Sequence, residues 1–99
     1  SIDLGVFKIK VIHAPGHTAG SAMFEIDNAY LISGDVLFKG AIGRTDMPSG
    51  SEEAMKKTLK NLILKLNDEL IVLPGHGEQT TISRERKSNP YLQDDYLNI

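Results

Sequence analysis

Between Val6 and Ile12 apolar and polar side chains alternate, with Phe7, Ile9 and Val11 on one side and Lys8 and Lys10 on the other. A period of two is the signature of a half-buried strand. Two further strand-like runs, AMFEI at 22–26 and AYLIS at 29–33, flank Asp27-Asn28. Asp and Asn enter tight turns readily, so the pair predicts a hairpin. Beyond a glycine-rich loop from Lys39 to Gly50 the period changes. In SEEAMKKTLKNLILKL, Met55, Leu59, Leu62 and Leu66 recur at spacings of four, three and four, one face of an amphipathic helix. Ser51 is its N-cap, Glu52 and Glu53 suit the positive end of the helix dipole, and Asn67 marks the exit. LIVL at 70–73 is wholly apolar and reads as a buried strand ending at Pro74-Gly75. A short polar helix is predicted from Thr81 as cap to about Ser88, stopped by Asn89-Pro90, with Thr80, Thr81 and Glu85 capping and orienting it and RERK at 84–87 as its solvated face.

The order β, β-hairpin, α, β, α predicts an α/β (α+β) fold with a mixed sheet. Two helices suffice for one face of such a sheet, so the other face requires a partner. No repeat, low-complexity tract or linker divides the chain, which reads as one unit.

Charge narrows the functional classes. Eleven basic against thirteen acidic residues, with no long run of either sign, leave no electrostatic footprint for nucleic acid or an anionic membrane. No window approaches the roughly 18 apolar residues of a membrane span, and no signal-peptide layout is present, so a cytoplasmic location is expected. Without cysteine, a transition metal would have to be held by imidazole and carboxylate. The chain starts Ser1-Ile2-Asp3 and runs almost at once into a strand, which suggests a piece of something longer.

HAPGHTAGS at 13–21 holds two of the three histidines, His13 and His17, four residues apart. On a helix they would share a face, but Pro15-Gly16 excludes a helix and turns the chain sharply between them. At most one is a confident ligand. The same grammar recurs in ISGD, which delivers Asp35 at a strand end, and in IVLPGHG, which delivers His76 after a second Pro-Gly turn. Three strand ends each present one potential ligand, His17, Asp35 and His76, beside glycines that let backbone approach closely. Imidazole and carboxylate suit zinc, manganese or ferrous iron, and three ligands with open positions form a catalytic arrangement more often than a structural one. The competing reading makes each histidine a hydrogen-bonded loop residue and the aspartate a turn residue.

HAPGHTAGS, SGDVLF and LPGHGEQTTI resemble successive motifs of the metallo-β-lactamase superfamily, most closely its glyoxalase II-like branch of thioester hydrolases. IGRTDMP and RERKSNPYL resemble those of its short, single-domain bacterial members. The resemblance runs from about residue 10 to Leu92. It implies the C-terminal half of an αβ/βα sandwich, residues 1–99 forming one partial domain. The absent N-terminal half would carry an H-x-H-x-D-H motif, of which this sequence has no counterpart. By resemblance, His17 is a ligand of a first metal, Asp35 the carboxylate bridging two metals and the pivot of catalysis, and His76 a ligand of the second. His13 precedes a ligand without being one, which implies a hydrogen-bonding role behind the metal shell. The implied cofactor is zinc as two divalent ions, with iron or manganese as alternatives, and the implied reaction is metal-assisted hydrolysis of a small-molecule thioester.

Arg44 stands where glutathione-specific relatives place a lysine for the substrate carboxylate, which makes it a candidate substrate contact. Positions given to tyrosine in those relatives are Asp46 and Glu78 here. The competing expectation for Arg44 and Asp46 is a local ion pair bracing the loop. Two other functions remain open. One is a persulfide dioxygenase-like mononuclear iron enzyme, against which PGHG at 74–77 speaks. The other is an inactive, non-enzymatic piece that associates with its missing half or with itself through the uncovered sheet face. Holding only part of the ligand set, the isolated chain is expected to bind metal weakly and to be inactive.

Overall fold

The computed structural model describes residues 2–3, 8–46 and 48–98. Along the chain lie β1 (Ile2–Asp3), β2 (Lys8–His13), β3 (Ala22–Ile26), β4 (Tyr30–Gly34), β5 (Leu37–Phe38), β6 (Ala41–Ile42), α1 (Glu52–Asn61), β7 (Ile71–Pro74), β8 (Thr80–Thr81), α2 (Ile82–Ser88) and α3 (Asp94–Leu97). One-turn 3-10 segments occupy Ile63–Lys65 and Pro90–Leu92. Residues 6 and 7 of the first expected strand lie outside the described residues.

Six strands form one mixed sheet in the order β1-β2-β3-β4-β7-β8, and β5 and β6 form a separate small hairpin. Only the β4–β7 pair is parallel; the other pairings are antiparallel. The β3–β4 hairpin turns at Asp27 and Asn28, with φ of 54° and 56°, and Ala29 N–H donates to Ile26 C=O at 2.9 Å. Positive φ at both central residues matches the strand twist, which is why Asp-Asn closes a hairpin here.

Register sorts the side chains into two faces. Met23, Leu31 and Val72 are buried and join Met55 and Leu59 of α1, Ile63, Ile82 of α2, Leu92 and Leu97 of α3 in one core. Opposite them, Val11 pairs with Phe24, Phe24 with Ile32 and Ile32 with Leu73, an apolar row across four strands. Val11 is 51% exposed and Phe24 39%, so the helices cover one face and leave the other open. The mixed sheet with helices on one face is therefore present as expected. Two details differ. The apolar side of β2 is the open one, and Ile12 is the residue that packs against the core. In β7, Val72 is buried while Ile71 and Leu73, only half-buried, look toward the open face.

Ser51 caps α1, its hydroxyl accepting from Ala54 N–H at 3.1 Å. The helix is shorter than its period suggests. It stops at Asn61, Leu62 departs from ideal helix with φ −116°, and the 3-10 turn buries Ile63 fully while Leu62 and Leu66 pack half-buried at the edge of the core. Thr81 caps α2 by accepting from Arg84 N–H at 3.1 Å, and Asn89-Pro90 ends it. RERK is only in part a solvated face: Arg84 and Lys87 are exposed, Glu85 and Arg86 are not. Glu85 is fully buried, accepting from Gly40 N–H, Thr80 Oγ1 and Asn89 Nδ2 at 2.7–2.9 Å. Arg86 pairs with Asp68 at 2.7 Å and donates to the carbonyls of Leu64 and Leu66. The segment read as a loop from Lys39 onward contains β6 and the second half of the β5–β6 hairpin, which Glu85 and Asn89 tie to α2.

Candidate metal centre

Strand direction places the site. β3 is antiparallel to both β2 and β4, and β7 is parallel to β4, so β2, β4 and β7 run the same way. Their C-terminal ends meet at one rim, the position where sheets of this kind gather ligands. Asp35 follows β4 and His76 follows β7. Gly75 N–H donates to Gly34 C=O at 2.8 Å, which keeps the two exits side by side. A Cβ at Gly75 would stand 3.0 Å from Asp35 Oδ1, so glycine lets the β7 exit pass this close to the carboxylate.

His17 arrives through a turn clamped to α1. Thr58 Oγ1 donates to Pro15 C=O at 2.6 Å, and Ser51 N–H donates to Gly16 C=O at 2.8 Å. Gly16 has φ +149°, and a Cβ there would lie 2.6 Å from Met55 Cα, so helix and turn approach more closely than any other residue permits. His13 Nε2–H donates to Ala19 C=O at 2.8 Å across the same loop. It braces the loop at the surface and has no hydrogen bond to His17, Asp35 or His76 among the described residues.

The His17 ring is oriented by a contact that the sequence did not disclose. Its Nδ1 lies 2.7 Å from the backbone carbonyl of Arg44. A carbonyl only accepts, so Nδ1 carries a proton, and in the neutral ring the lone pair is left on Nε2. That Nε2 faces Asp35 Oδ2 at 3.7 Å, while His76 Nδ1 stands 3.2 Å from the other oxygen, Oδ1. Gly43 permits this geometry, because a Cβ there would fall 1.7 Å from the Asp35 carbonyl and 3.3 Å from His17 Nδ1. His17, Asp35, Phe38, Gly43, Arg44 and His76 line a cavity of about 230 Å³. The Phe38 and His76 rings are 6.1 Å apart at 53°. The available signal for Gly43 and Phe38 was their place in SGDVLF and IGRTDMP, short motifs in which neither carries a ligand atom.

The three candidate ligands are together, but not around one point. Among the described residues, no group of three His, Asp or Glu side chains is placed to hold a metal ion unaided. The reading of the three strand ends as three ligands of one open site is corrected accordingly. Asp35 stands between the histidines and offers one oxygen to each. Two donors on one ion, each at about 2.0–2.2 Å, sit roughly 3–3.5 Å from each other. The His76–Oδ1 pair at 3.2 Å has that spacing, and the His17–Oδ2 pair at 3.7 Å would need to close slightly to hold a second ion. Imidazole and carboxylate donors, one imidazole with its tautomer already fixed, fit divalent ions of the zinc or iron type.

Arg44's side chain points to a local partner. Its Nε and Nη2 donate to Asp46 Oδ1 and Oδ2 at 2.6 and 2.9 Å, a fork that holds the Asp46 carboxyl below its ordinary range and raises the guanidinium further. Lys39 Nζ meets Glu78 Oε2 at 2.6 Å and lowers that carboxyl in the same way.

The sequence profile described as the Metallo-beta-lactamase superfamily matches residues 1–76, a span that holds all three candidate ligands. The chain belongs to the metallo-β-lactamase superfamily. Its sheet and helices have the fold of the superfamily's solved members: it superposes on a B3 metallo-beta-lactamase, BLEG-1, with TM-score 0.87 and 43% identity over 93% of this chain and 44% of that one. A structure of TTHA1623 in a di-iron-bound form superposes with TM-score 0.80 and 41% identity over 85% of this chain and 42% of that one. The hydroxyacylglutathione hydrolase GloC of Haemophilus influenzae is 44% identical over 92 residues, 92% of this chain and 43% of that protein. The chain thus spans less than half the length of these superfamily relatives. No helix among the described residues is long and apolar enough to cross a membrane.

Proposed function

We propose that this chain supplies the C-terminal half of a metal-dependent hydrolase that cleaves thioesters, with His17, Asp35 and His76 as its share of a two-ion centre. The observation that carries the reading is Asp35, whose two oxygens face two different imidazoles at 3.7 and 3.2 Å. Likeness to a hydroxyacylglutathione hydrolase supports the thioester as substrate, and the mixed character of the relatives leaves zinc and iron as the ions to be tested.

Bound divalent ions would supply hydroxide at neutral pH and polarise the carbonyl under attack. The chain's own residues account for the rest. His17 presents Nε2 because the Arg44 carbonyl holds the proton on Nδ1. Asp35 spans the two imidazoles, Phe38 walls the cavity beside His76, and Gly43, having no side chain, lets the Asp35 carbonyl and the His17 ring pack close against the 42–44 segment. The remaining half of the domain covers the open sheet face and supplies the other ligands.

Asp35→Asn nearly keeps shape and removes the charge that two cations share. In the full-length protein the expected result is loss of bound metal by elemental analysis, together with loss of thioester cleavage. Full occupancy of both ions in that variant would sink the assignment. The isolated chain gives each ion two side-chain ligands at most, so calorimetry with zinc should show weak binding, and turnover of S-lactoylglutathione by it would contradict the half-site reading.

A further inference from the structure

Beside the metal centre, across Lys39 and Glu78, lies a second and larger cleft of about 420 Å³ between the β5–β6 turn and α2. Lys39, Gly40, Glu78, Arg84 and Ser88 line it above the buried Glu85. Its electrostatics are unusual for a surface depression. Glu85 is fully committed to Gly40, Thr80 and Asn89, and so contributes no free carboxylate to the opening. Lys39 holds Glu78, and Arg84 acts on the same carboxylate from a distance, yet the Arg84 guanidinium makes no ion pair or hydrogen bond among the described residues. Two cations therefore face one exposed, replaceable carboxylate. Glu78 is 77% exposed in its side chain and sits on the Gly77-Glu78 stretch after β7, where Gly77 has φ +81°, so its hold on Lys39 is a surface contact that an external oxyanion can displace.

We propose that this cleft is an oxyanion subsite for the acidic end of the thiol part of the substrate, with Glu78 occupying it until substrate arrives. The inference rests on the thioester reading for its substrate, though the subsite itself stands on the cleft and its charges. Lys39 is adjacent in sequence to Phe38, which lines the metal cavity, so a thiol whose sulfur lies at the cavity extends past Phe38 toward Lys39 and Arg84. A guanidinium with no partner binds carboxylate or phosphate by a two-pronged fork, and Lys39 adds a point charge beside it. The substrate class that follows is a thioester of a small thiol ending in a carboxylate or a phosphate.

The test uses the full-length protein and three thioesters with the same acyl group, whose thiols end in a carboxylate, a phosphate monoester or a neutral amide. In Arg84→Ala the ratio of kcat/KM for an acidic-ended over the neutral-ended thioester should fall roughly five- to tenfold, through KM, and the larger fall names which acid the subsite takes. Glu78→Gln should act in the opposite direction and tighten inorganic phosphate about threefold to fivefold, which a merely bracing Lys39–Glu78 pair would not do. Equal ratios in wild type and Arg84→Ala, or phosphate binding unchanged or weakened in Glu78→Gln, would overturn the proposal. Should the protein cleave no thioester, an NMR titration with inorganic phosphate separates the two readings. Shifts at Gly40 and Ser88 that vanish in Arg84→Ala keep the subsite while the thioester reading falls, and their absence removes the subsite.

Discussion

At Gly43 and Arg44 two adjacent residues serve the same imidazole through backbone rather than side chain, and substitution should separate them. The Arg44 carbonyl survives truncation of its side chain, so Arg44→Ala should retain the His17 tautomer and the metal content of the full-length protein. Gly43→Ala instead drives a methyl against the Asp35 carbonyl at 1.7 Å. Overpacking of that kind costs about 1–3 kcal/mol, and for a domain of this size each kcal/mol lowers Tm by roughly 4–8 °C. Thermal unfolding and metal analysis of the two variants check this, and equal behaviour would refute it. The Arg44–Asp46 fork carries a pH signature. Asp46 is held below its ordinary value of 3.8, chiefly by the hydrogen bonds from Arg44. A depressed folded-state value means that the contribution is complete above the ordinary value and disappears as pH falls through the lower one. A carboxyl NMR titration should find the Asp46 midpoint below 3.8 in the wild type and back near it in Arg44→Ala. These relations were only partly legible in the sequence. The fork was one of two readings of the residues at 44 and 46, whereas nothing in a one-letter code says that a backbone carbonyl, rather than a side chain, will orient His17.

At the scale of elements, what could be read depended on how local the cause was. The Asp27-Asn28 turn and the Ser51 and Thr81 caps follow from side chains bonding backbone a few residues away, and they form as expected. The end of α1 follows from Ile63 fitting a core built by distant strands, so the four-three-four spacing through Leu66 overstated the helix. β5 and β6 are two residues each, too short for any period to register, and are held by Glu85 from forty-five residues away. This makes Glu85 the key to α2. Glu85→Ala would leave the buried Thr80 hydroxyl without its acceptor and cut the tie to Gly40 N–H, while the Asn89 amide keeps the Phe38 and Ala41 carbonyls. One unsatisfied buried group costs about 1–3 kcal/mol, and urea unfolding should show a loss of that size. Ser51→Ala, removing one cap bond at a helix start, should cost about 1 kcal/mol in the same assay.

For the whole molecule, alternation in VFKIKVI separated two sides of a strand but could not say which side the helices would cover; that depends on the crossover from β4 through α1 to β7. The outcome is a sheet whose exposed face carries Val11, Phe24, Tyr30 and Ile32. Paired rows across four strands, Val11–Phe24–Ile32–Leu73 and Ile9–Ile26–Tyr30–Ile71, make this surface continuous rather than scattered. Contiguous apolar patches of this kind are interaction surfaces or aggregation liabilities. A single change therefore has opposite consequences in two contexts. Phe24→Lys places a charge in the middle of the face. In the isolated chain the face meets water, so the substitution should reduce self-association, read by sedimentation across a concentration series, with little loss of stability. In the full-length protein the proposed N-terminal half seals the face, and burying a lysine there should destabilise by about 3 kcal/mol or more, read by urea unfolding. If Phe24→Lys is as stable as wild type in the full-length protein, the face is not the seam between the two halves, and the other ligands of the centre must come from elsewhere.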